Sequence, residues 1–150
     1  ADEIVVSPGA EIGSIGVLAV HADISKALDR AGIAMSIISA GKYKAEETEF
    51  EPLTDEARQA IQGRVNRYYQ MFVKAVAQHR GVSAAAVRGG FGEGRGVGAE
   101  EAVALGMADR VETFHQILLR LAGKYRARGP RVSLVNREIE IFELDKAGSV

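Results

Sequence analysis

The sequence predicts an α/β fold, on three observations. Short apolar runs rich in β-branched residues end at glycine or proline turns, which is typical of short strands. A strand, a helix and a strand follow one another over residues 17–38, the order of a parallel crossover unit. A longer segment, residues 54–80, has apolar residues at three- and four-residue steps and is predicted to form an amphipathic helix.

Turn and cap residues set the limits of the first predicted elements. A strand at residues 4–7 stops at Ser7-Pro8-Gly9, and a second strand at residues 17–20 follows Gly13-Ser14-Ile15-Gly16. Asp23 is a suitable cap for a helix over residues 24–31, which Gly32 ends. The apolar run over residues 33–38 is then predicted to be a short buried strand.

The second half of the chain is predicted to be mainly helical up to residue 121. Thr54 caps the long helix, Gly81 ends it, and Ser83 begins a short helix. The remaining predictions are helices at residues 99–105 and 113–121 and a strand at residues 107–111. From residue 123 to residue 150, basic residues are followed by apolar residues that alternate with polar ones. This pattern predicts a C-terminal extension, either a β-hairpin or a flexible tail.

Composition excludes several classes of function. A net charge of −1 over 150 residues argues against a nucleic-acid binder that relies on bulk electrostatics. There is no cysteine, and the three histidines lack metal-ligand spacing, so we expect no disulfide, no metal site and no cofactor. No apolar run is long enough to span a bilayer, and Ala1-Asp2-Glu3 does not begin a signal peptide. The sequence does not indicate a cellular compartment.

Two lysines follow the predicted strand at residues 33–38. Ser39-Ala40-Gly41 allows a sharp turn, and Lys42 and Lys44 then flank Tyr43. A lysine at the end of a buried strand is a candidate proton acceptor, because partial burial lowers the pKa of its amine. The alternative is a solvated turn with two surface lysines.

A glycine-rich run covers residues 89–98, where six of ten residues are glycine. Such a run can cradle a phosphate group when a strand precedes it and a lysine–serine or lysine–threonine pair follows it. Neither condition holds here, so the sequence does not favour a nucleotide site.

Four stretches, taken in order, resemble the signal peptide peptidase A family of serine peptidases, including its phage-head protease branch. They are Ala1-Asp2-Glu3-Ile4-Val5-Val6-Ser7-Pro8, Gly13-Ser14-Ile15-Gly16-Val17, Ser39-Ala40-Gly41-Lys42-Tyr43-Lys44, and Phe91-Gly92-Glu93-Gly94-Arg95 with Glu100-Glu101-Ala102 and Gly106-Met107-Ala108-Asp109. The resemblance identifies residues 1–122 as a peptidase domain with the stacked βα units of the Clp protease and crotonase fold.

The resemblance also implies a catalytic site with a Ser–Lys dyad. Lys44 falls on the position of the general base that takes the proton from the nucleophilic serine, and Lys42 does not. Ser14 falls on a serine that helps to orient the lysine, although a turn serine between glycines is the alternative. The implied partners are a peptide or protein substrate and further copies of the chain in a homo-oligomer.

By the same resemblance, the nucleophilic serine belongs to a turn that precedes Ala1, and its oxyanion-hole glycines lie with it. None of the other serines of the chain occupies this motif. They are Ser7, Ser25, Ser36, Ser39, Ser83, Ser133 and Ser149. We therefore expect an endopeptidase fragment that is inactive alone, with membrane anchoring and physiological substrate undetermined. The main alternative is a non-enzymatic assembly or scaffold module, and a weaker one is a crotonase-type enzyme acting on acyl thioesters.

Overall fold

The computed structural model describes residues 1–126, and the chain divides into two compact units. Among the described residues, one unit comprises Ala1–Ile12 and residues 97–126, and the other comprises Gly13–Gly96. In chain order the elements are β1 (Val5–Val6), β2 (Glu11–Gly13), α1 (Ser25–Arg30), α2 (Asp55–Arg80), α3 (Ala84–Gly90), a 3₁₀ turn (Gly92–Gly94), β3 (Gly96–Gly98), α4 (Ala99–Ala104), β4 (Arg110–Val111) and α5 (Phe114–Arg126). This mixture of helices and small sheets confirms the predicted α/β class.

The first unit is built around a parallel pair of strands. β1 pairs with β4, with Val6 opposite Val111, and β2 pairs with β3 in a second two-stranded sheet. Val6 is buried together with Ala99 and Ala108, and Val103 packs against them. Two of these three buried side chains are alanines, and such small side chains allow α4 to approach the strands closely.

An ion-pair network ties the chain start to the last helix of this unit. Arg110 Nε donates to Glu3 Oε1 at 2.6 Å, and Arg120 Nη1 lies 2.9 Å from Glu3 Oε2. Arg120 also pairs with Glu112, with 2.8 Å between Nη2 and Oε2. The hydrogen bond from Arg110, followed by the interactions with Arg120, holds the pKa of Glu3 below its usual value.

In the second unit, α2 is the longest element, as predicted. Thr54 Oγ1 accepts a hydrogen bond from the Ala57 N–H at 3.1 Å, and Gly81 ends the helix in the left-handed conformation with φ +66°. Val73 and Ala77 of α2 are buried, and α2 packs against α3. The caps and the apolar face predicted from the sequence are therefore present.

The predicted crossover unit is only partly present. Its helix exists as α1, and Gly32 follows it at φ +68°. The N-cap residue is Ile24 and not the predicted Asp23, although Asp23 Oδ1 accepts from the Ser25 N–H at 2.9 Å. Both flanking strand predictions are wrong for the described residues: residues 17–20 and 33–38 form no strand. Leu18 is 81% exposed and Ile38 97% exposed. An apolar run becomes a strand only where a second strand supplies hydrogen bonds, and no described segment pairs with either run.

The last described helix, α5, is longer than predicted and begins at a capping box. Thr113 Oγ1 accepts from the Gln116 N–H at 3.3 Å, while Gln116 Oε1 accepts from the Thr113 N–H at 2.7 Å. The helix continues to Arg126, past residue 122, where the sequence predicts the end of the peptidase domain. That domain boundary stays a prediction. The predicted β-hairpin or flexible tail lies outside the described residues. Among the helices described, none is long and apolar enough to cross a bilayer.

Candidate active site

Lys44 lies in an irregular turn of the second unit. Gly41 adopts φ +98°, and the N–H of Lys44 donates to the Gly41 carbonyl at 3.1 Å. Successive turns follow through residue 47, so no strand or helix holds this segment. The Lys44 side chain is exposed rather than buried at a strand end, contrary to the sequence-based expectation. The reason is that the run before it forms no strand.

The two lysines of this turn differ in their partners. Lys42 Nζ donates to Tyr43 Oη at 2.6 Å and lies 3.6 Å from Glu56 Oε1. The hydrogen bond from Lys42 to Tyr43, together with the Glu56 carboxylate, raises the pKa of the Lys42 amine, which favours its charged form. Lys44 makes no hydrogen bond or ion pair through its side chain in the described part of the chain.

Besides the Lys42–Glu56 ion pair, two hydrogen-bonded contacts connect the turn to α2. Tyr43 Oη donates to Glu56 Oε1 at 2.9 Å. Arg64 donates through Nη1 and Nη2 to the two carboxylate oxygens of Glu47, at 2.9 Å and 2.7 Å. These hydrogen bonds from Arg64 hold the pKa of Glu47 below its usual value. Sequence reasoning missed both contacts, since no pattern in the sequence assigns a partner to Tyr43 or Glu47.

Ser14 occupies a strained position in a second loop of the same unit. Its φ is +54°, and the only other non-glycine residue with positive φ among those described is Glu93, at +50°. The N–H of Ser14 donates to the Arg95 carbonyl at 2.9 Å, which joins the Ser14 loop to the glycine-rich loop. Non-glycine residues in this conformation are uncommon and cluster at functional sites.

Close approach explains one glycine of this loop. A Cβ at Gly13 would lie 2.5 Å from the Arg95 carbonyl oxygen, and Gly13 has φ +138°. The carbonyl of Ser14 accepts from the Gly16 N–H at 2.8 Å, and Ile15 between them is buried. The backbone around Ser14 is therefore fixed on both sides.

Ser14 and Lys44 remain separate in the described structure. The hydrogen bonds of Ser14 go to Gly16 and Arg95, and no bond joins its hydroxyl to the Lys44 amine. Both residues are exposed. No cluster of metal-ligating side chains occurs in the described residues.

A groove of about 630 Å³ lies in the same unit. Residues 17–19 line it together with Arg58, Ile61 and Val65 of α2. His21 also lines this groove, and its Nε2–H donates to the Thr48 carbonyl at 2.8 Å. The groove is thus lined by residues that precede α1 and by α2, the helix that also contacts the Lys44 turn.

Comparison with known proteins gives concordant matches. The model of peptidase family S49 matches residues 1–127. Capsid assembly protease C of Escherichia phage lambda is 28% identical over 133 residues, covering 89% of this chain and 30% of the phage protein. A putative protease of Methanocaldococcus jannaschii is 32% identical over 132 residues, covering 88% of this chain and 42% of that protein.

A bacterial relative adds to this set. The probable protease SohB of Haemophilus influenzae is 26% identical over 151 residues, covering 93% of this chain and 41% of that protein. The chain therefore spans between 30% and 42% of the length of these relatives. The matched region of the family model contains the turn with Lys44, the loop with Ser14 and the glycine-rich loop, and it confirms the resemblance drawn from those motifs. The chain belongs to peptidase family S49.

Proposed function

We propose that the full-length protein containing this chain is a serine endopeptidase with a Ser–Lys dyad on a Clp/crotonase-like fold, and that Lys44 is its general base. Lys44 takes the proton from a serine located outside residues 1–150 and later donates it to the leaving amine. Membership of family S49 and the protease names of the relatives support this reaction class. The 150-residue chain alone is proposed to be inactive.

The observation that carries the choice of lysine is the difference between Lys42 and Lys44. A base must be able to lose its proton, and an ion pair opposes that loss. Lys42 is paired with Glu56, whereas the Lys44 amine has no described partner and remains available to a serine hydroxyl.

The proposal requires that Lys44 be covered in the active enzyme. A fully solvated lysine amine is a poor proton acceptor at neutral pH, because almost all of it is already protonated. In the described residues Lys44 is exposed, so the proposal has the covering groups come from the substrate, from a neighbouring subunit, from chain outside residues 1–126 or from a rearrangement of these loops.

Ser14 is proposed to assist Lys44 by orienting its amine. Its left-handed backbone and the anchoring of its loop at Arg95 support a role beyond that of an ordinary turn serine. Because no bond joins Ser14 to Lys44 in the described structure, this role requires the two loops to approach each other in the active form.

The direct test is hydrolysis of casein by the full-length gene product, compared with the 150-residue chain. Activity of the former that is inhibited by a serine-directed reagent, with none in the latter, is the expected result. A folded full-length protein without peptidase activity would contradict the proposal.

A second candidate function, assembly without catalysis, is favoured by one surface. Tyr68, Met71 and Phe72 lie together on α2, and their exposed fractions are 54%, 61% and 39%. Residues three and four apart share one helix face, so these side chains form an apolar patch of the kind found at interfaces between subunits. The name of the phage lambda relative, a capsid assembly protease, is compatible with an assembly role.

A further inference from the structure

The turn that carries Lys44 is attached to α2 at two points. One is the hydrogen bond from Tyr43 Oη to Glu56, at 2.9 Å, and the other is the paired bond from Arg64 to Glu47, at 2.9 Å and 2.7 Å. Lys44 lies between Tyr43 and Glu47 in the chain. The two attachments therefore flank the residue on both sides.

These attachments matter because the turn has little support of its own. From Gly41 to Glu47 the backbone forms turns whose hydrogen bonds, such as Lys44 N–H to Gly41 carbonyl at 3.1 Å, stay within the segment. The residues before it, 33–38, are exposed and form no strand. Hydrogen bonds from His21 Nε2 to the Thr48 carbonyl, at 2.8 Å, and from the Ile24 N–H to the Glu49 carbonyl, at 2.9 Å, hold the chain just after the turn. Within the turn itself, the side-chain contacts to α2 are the ones that flank Lys44.

The Arg64–Glu47 pair fixes the geometry of the turn more than it stabilises the fold. An arginine that donates two parallel hydrogen bonds to a carboxylate fixes orientation as well as distance. Yet the side chains of Arg64 and Glu47 are 44% and 39% exposed, and ion pairs this exposed contribute little to folding stability. The fixed geometry is therefore the main effect of the pair.

We propose that Glu56 and Arg64 of α2 are positioning residues that hold the Lys44 turn, through Tyr43 and Glu47, in the geometry needed for proton transfer. The inference rests on the proposed role of Lys44 as the base. A general base must lie within hydrogen-bond reach of the proton that it takes, and small displacements are costly. Loss of either attachment then lowers the rate of the chemical step and leaves substrate binding largely unchanged.

The test uses the full-length gene product with casein or a fluorogenic peptide as the substrate. Arg64→Ala and Glu56→Ala remove the attachments, and Arg67→Ala and Glu49→Ala are the matched controls. Neither control side chain makes a hydrogen bond or ion pair in the described structure, and each control repeats the charge change. We expect kcat to fall about tenfold to a hundredfold for the first pair, with KM nearly constant and wild-type values for the controls.

A charge exchange separates positioning from other roles of the same side chains. Glu47→Arg and Arg64→Glu each break the pair, and the double variant restores an ion pair in the opposite sense. Recovery of at least part of kcat in the double variant is expected. If Arg64→Ala fails to fold, Arg64→Lys and Tyr43→Phe, which remove one part of each attachment, decide the question by the same kcat comparison.

The outcomes distinguish this inference from the proposed function. If Lys44→Ala abolishes hydrolysis while the attachment variants retain the kcat of the controls, the positioning role is overturned and the role of Lys44 stands. If Lys44→Ala retains activity, the proposed function fails, and this inference fails with it. A fall in kcat for the attachment variants, with KM and thermal stability preserved, supports both.

Discussion

The backbone N–H of Ser14 donates to the carbonyl oxygen of Arg95 at 2.9 Å, and this bond joins two loops that each contain a strained residue. Ser14 has φ +54°, and Glu93, two residues before Arg95, has φ +50°. Gly13 allows the approach, because any side chain at that position would meet the Arg95 carbonyl. The structure thus keeps an unfavourable backbone conformation at the serine that the family resemblance selects.

Gly13→Ala is expected to destabilise the protein. The new Cβ would lie 2.5 Å from the Arg95 carbonyl oxygen, so the two loops would have to separate. We expect a loss of about 1–3 kcal/mol in the free energy of unfolding, measured by urea titration. Gly89→Ala is the control, since open space surrounds that glycine in α3 and alanine favours a helix. Equal effects of the two substitutions would contradict this account of the loop.

Ser14→Gly tests whether the strain at Ser14 serves function. Glycine adopts positive φ without a steric penalty, so the variant should be as stable as the wild-type protein or slightly more stable. If the hydroxyl orients Lys44, the full-length enzyme should nevertheless lose most of its kcat. Urea titration and peptide hydrolysis of the same preparation measure both quantities. Wild-type kcat would show that Ser14 is only a turn residue.

The network around Glu3 predicts a dependence of stability on pH. Hydrogen bonds from Arg110 and Arg120 lower the pKa of Glu3 from its usual 4.5, so the folded state favours the carboxylate. The contribution of Glu3 is therefore complete above about pH 4.5 and is lost as the pH falls through the lower folded-state value. In urea titrations between pH 7 and pH 3, the free energy of unfolding should fall less for Glu3→Gln than for the wild-type protein.

Glu101→Gln is the control for that measurement. Glu101 is exposed on α4 and makes no ion pair among the described residues. We expect its free energy of unfolding to fall with acid as much as that of the wild-type protein. Identical pH profiles for Glu3→Gln and the wild type would mean that the network does not act on folding.

The apolar patch on α2 predicts an effect on assembly. Met71→Lys places a charge among Tyr68, Met71 and Phe72 and should dissociate an oligomer of the full-length product that uses this face. Sedimentation velocity measures the change, with Gln70→Lys as the control on another face of the same helix. An unchanged oligomer with Met71→Lys would exclude the patch as an interface.

The predictions from the sequence were correct for the helix caps, which depend only on neighbouring residues. The caps Thr54 and Ser83 and the end of α2 at Gly81 follow from residue chemistry within one turn of the helix, and the structure confirms them. The prediction of strands at residues 17–20 and 33–38 was wrong for the described residues, because a strand depends on a partner that its own sequence does not reveal.

The candidate site shows the same division. The family motif selects Lys44 and Ser14, and their role as site residues stays a prediction. The contacts from Tyr43 to Glu56 and from Glu47 to Arg64 join residues 13 and 17 positions apart, and no periodicity or motif in the sequence indicates them. Only the fold brings those side chains together.

The central claim is that Lys44, and not Lys42, is the base of the full-length enzyme. The most direct measurement compares kcat/KM of Lys44→Arg and Lys42→Arg in that protein, because arginine keeps the charge but does not lose its proton. We expect Lys44→Arg to lower kcat/KM about 10²- to 10⁴-fold and Lys42→Arg to leave it nearly unchanged. Equal losses, or an active Lys44→Arg enzyme, would contradict the claim.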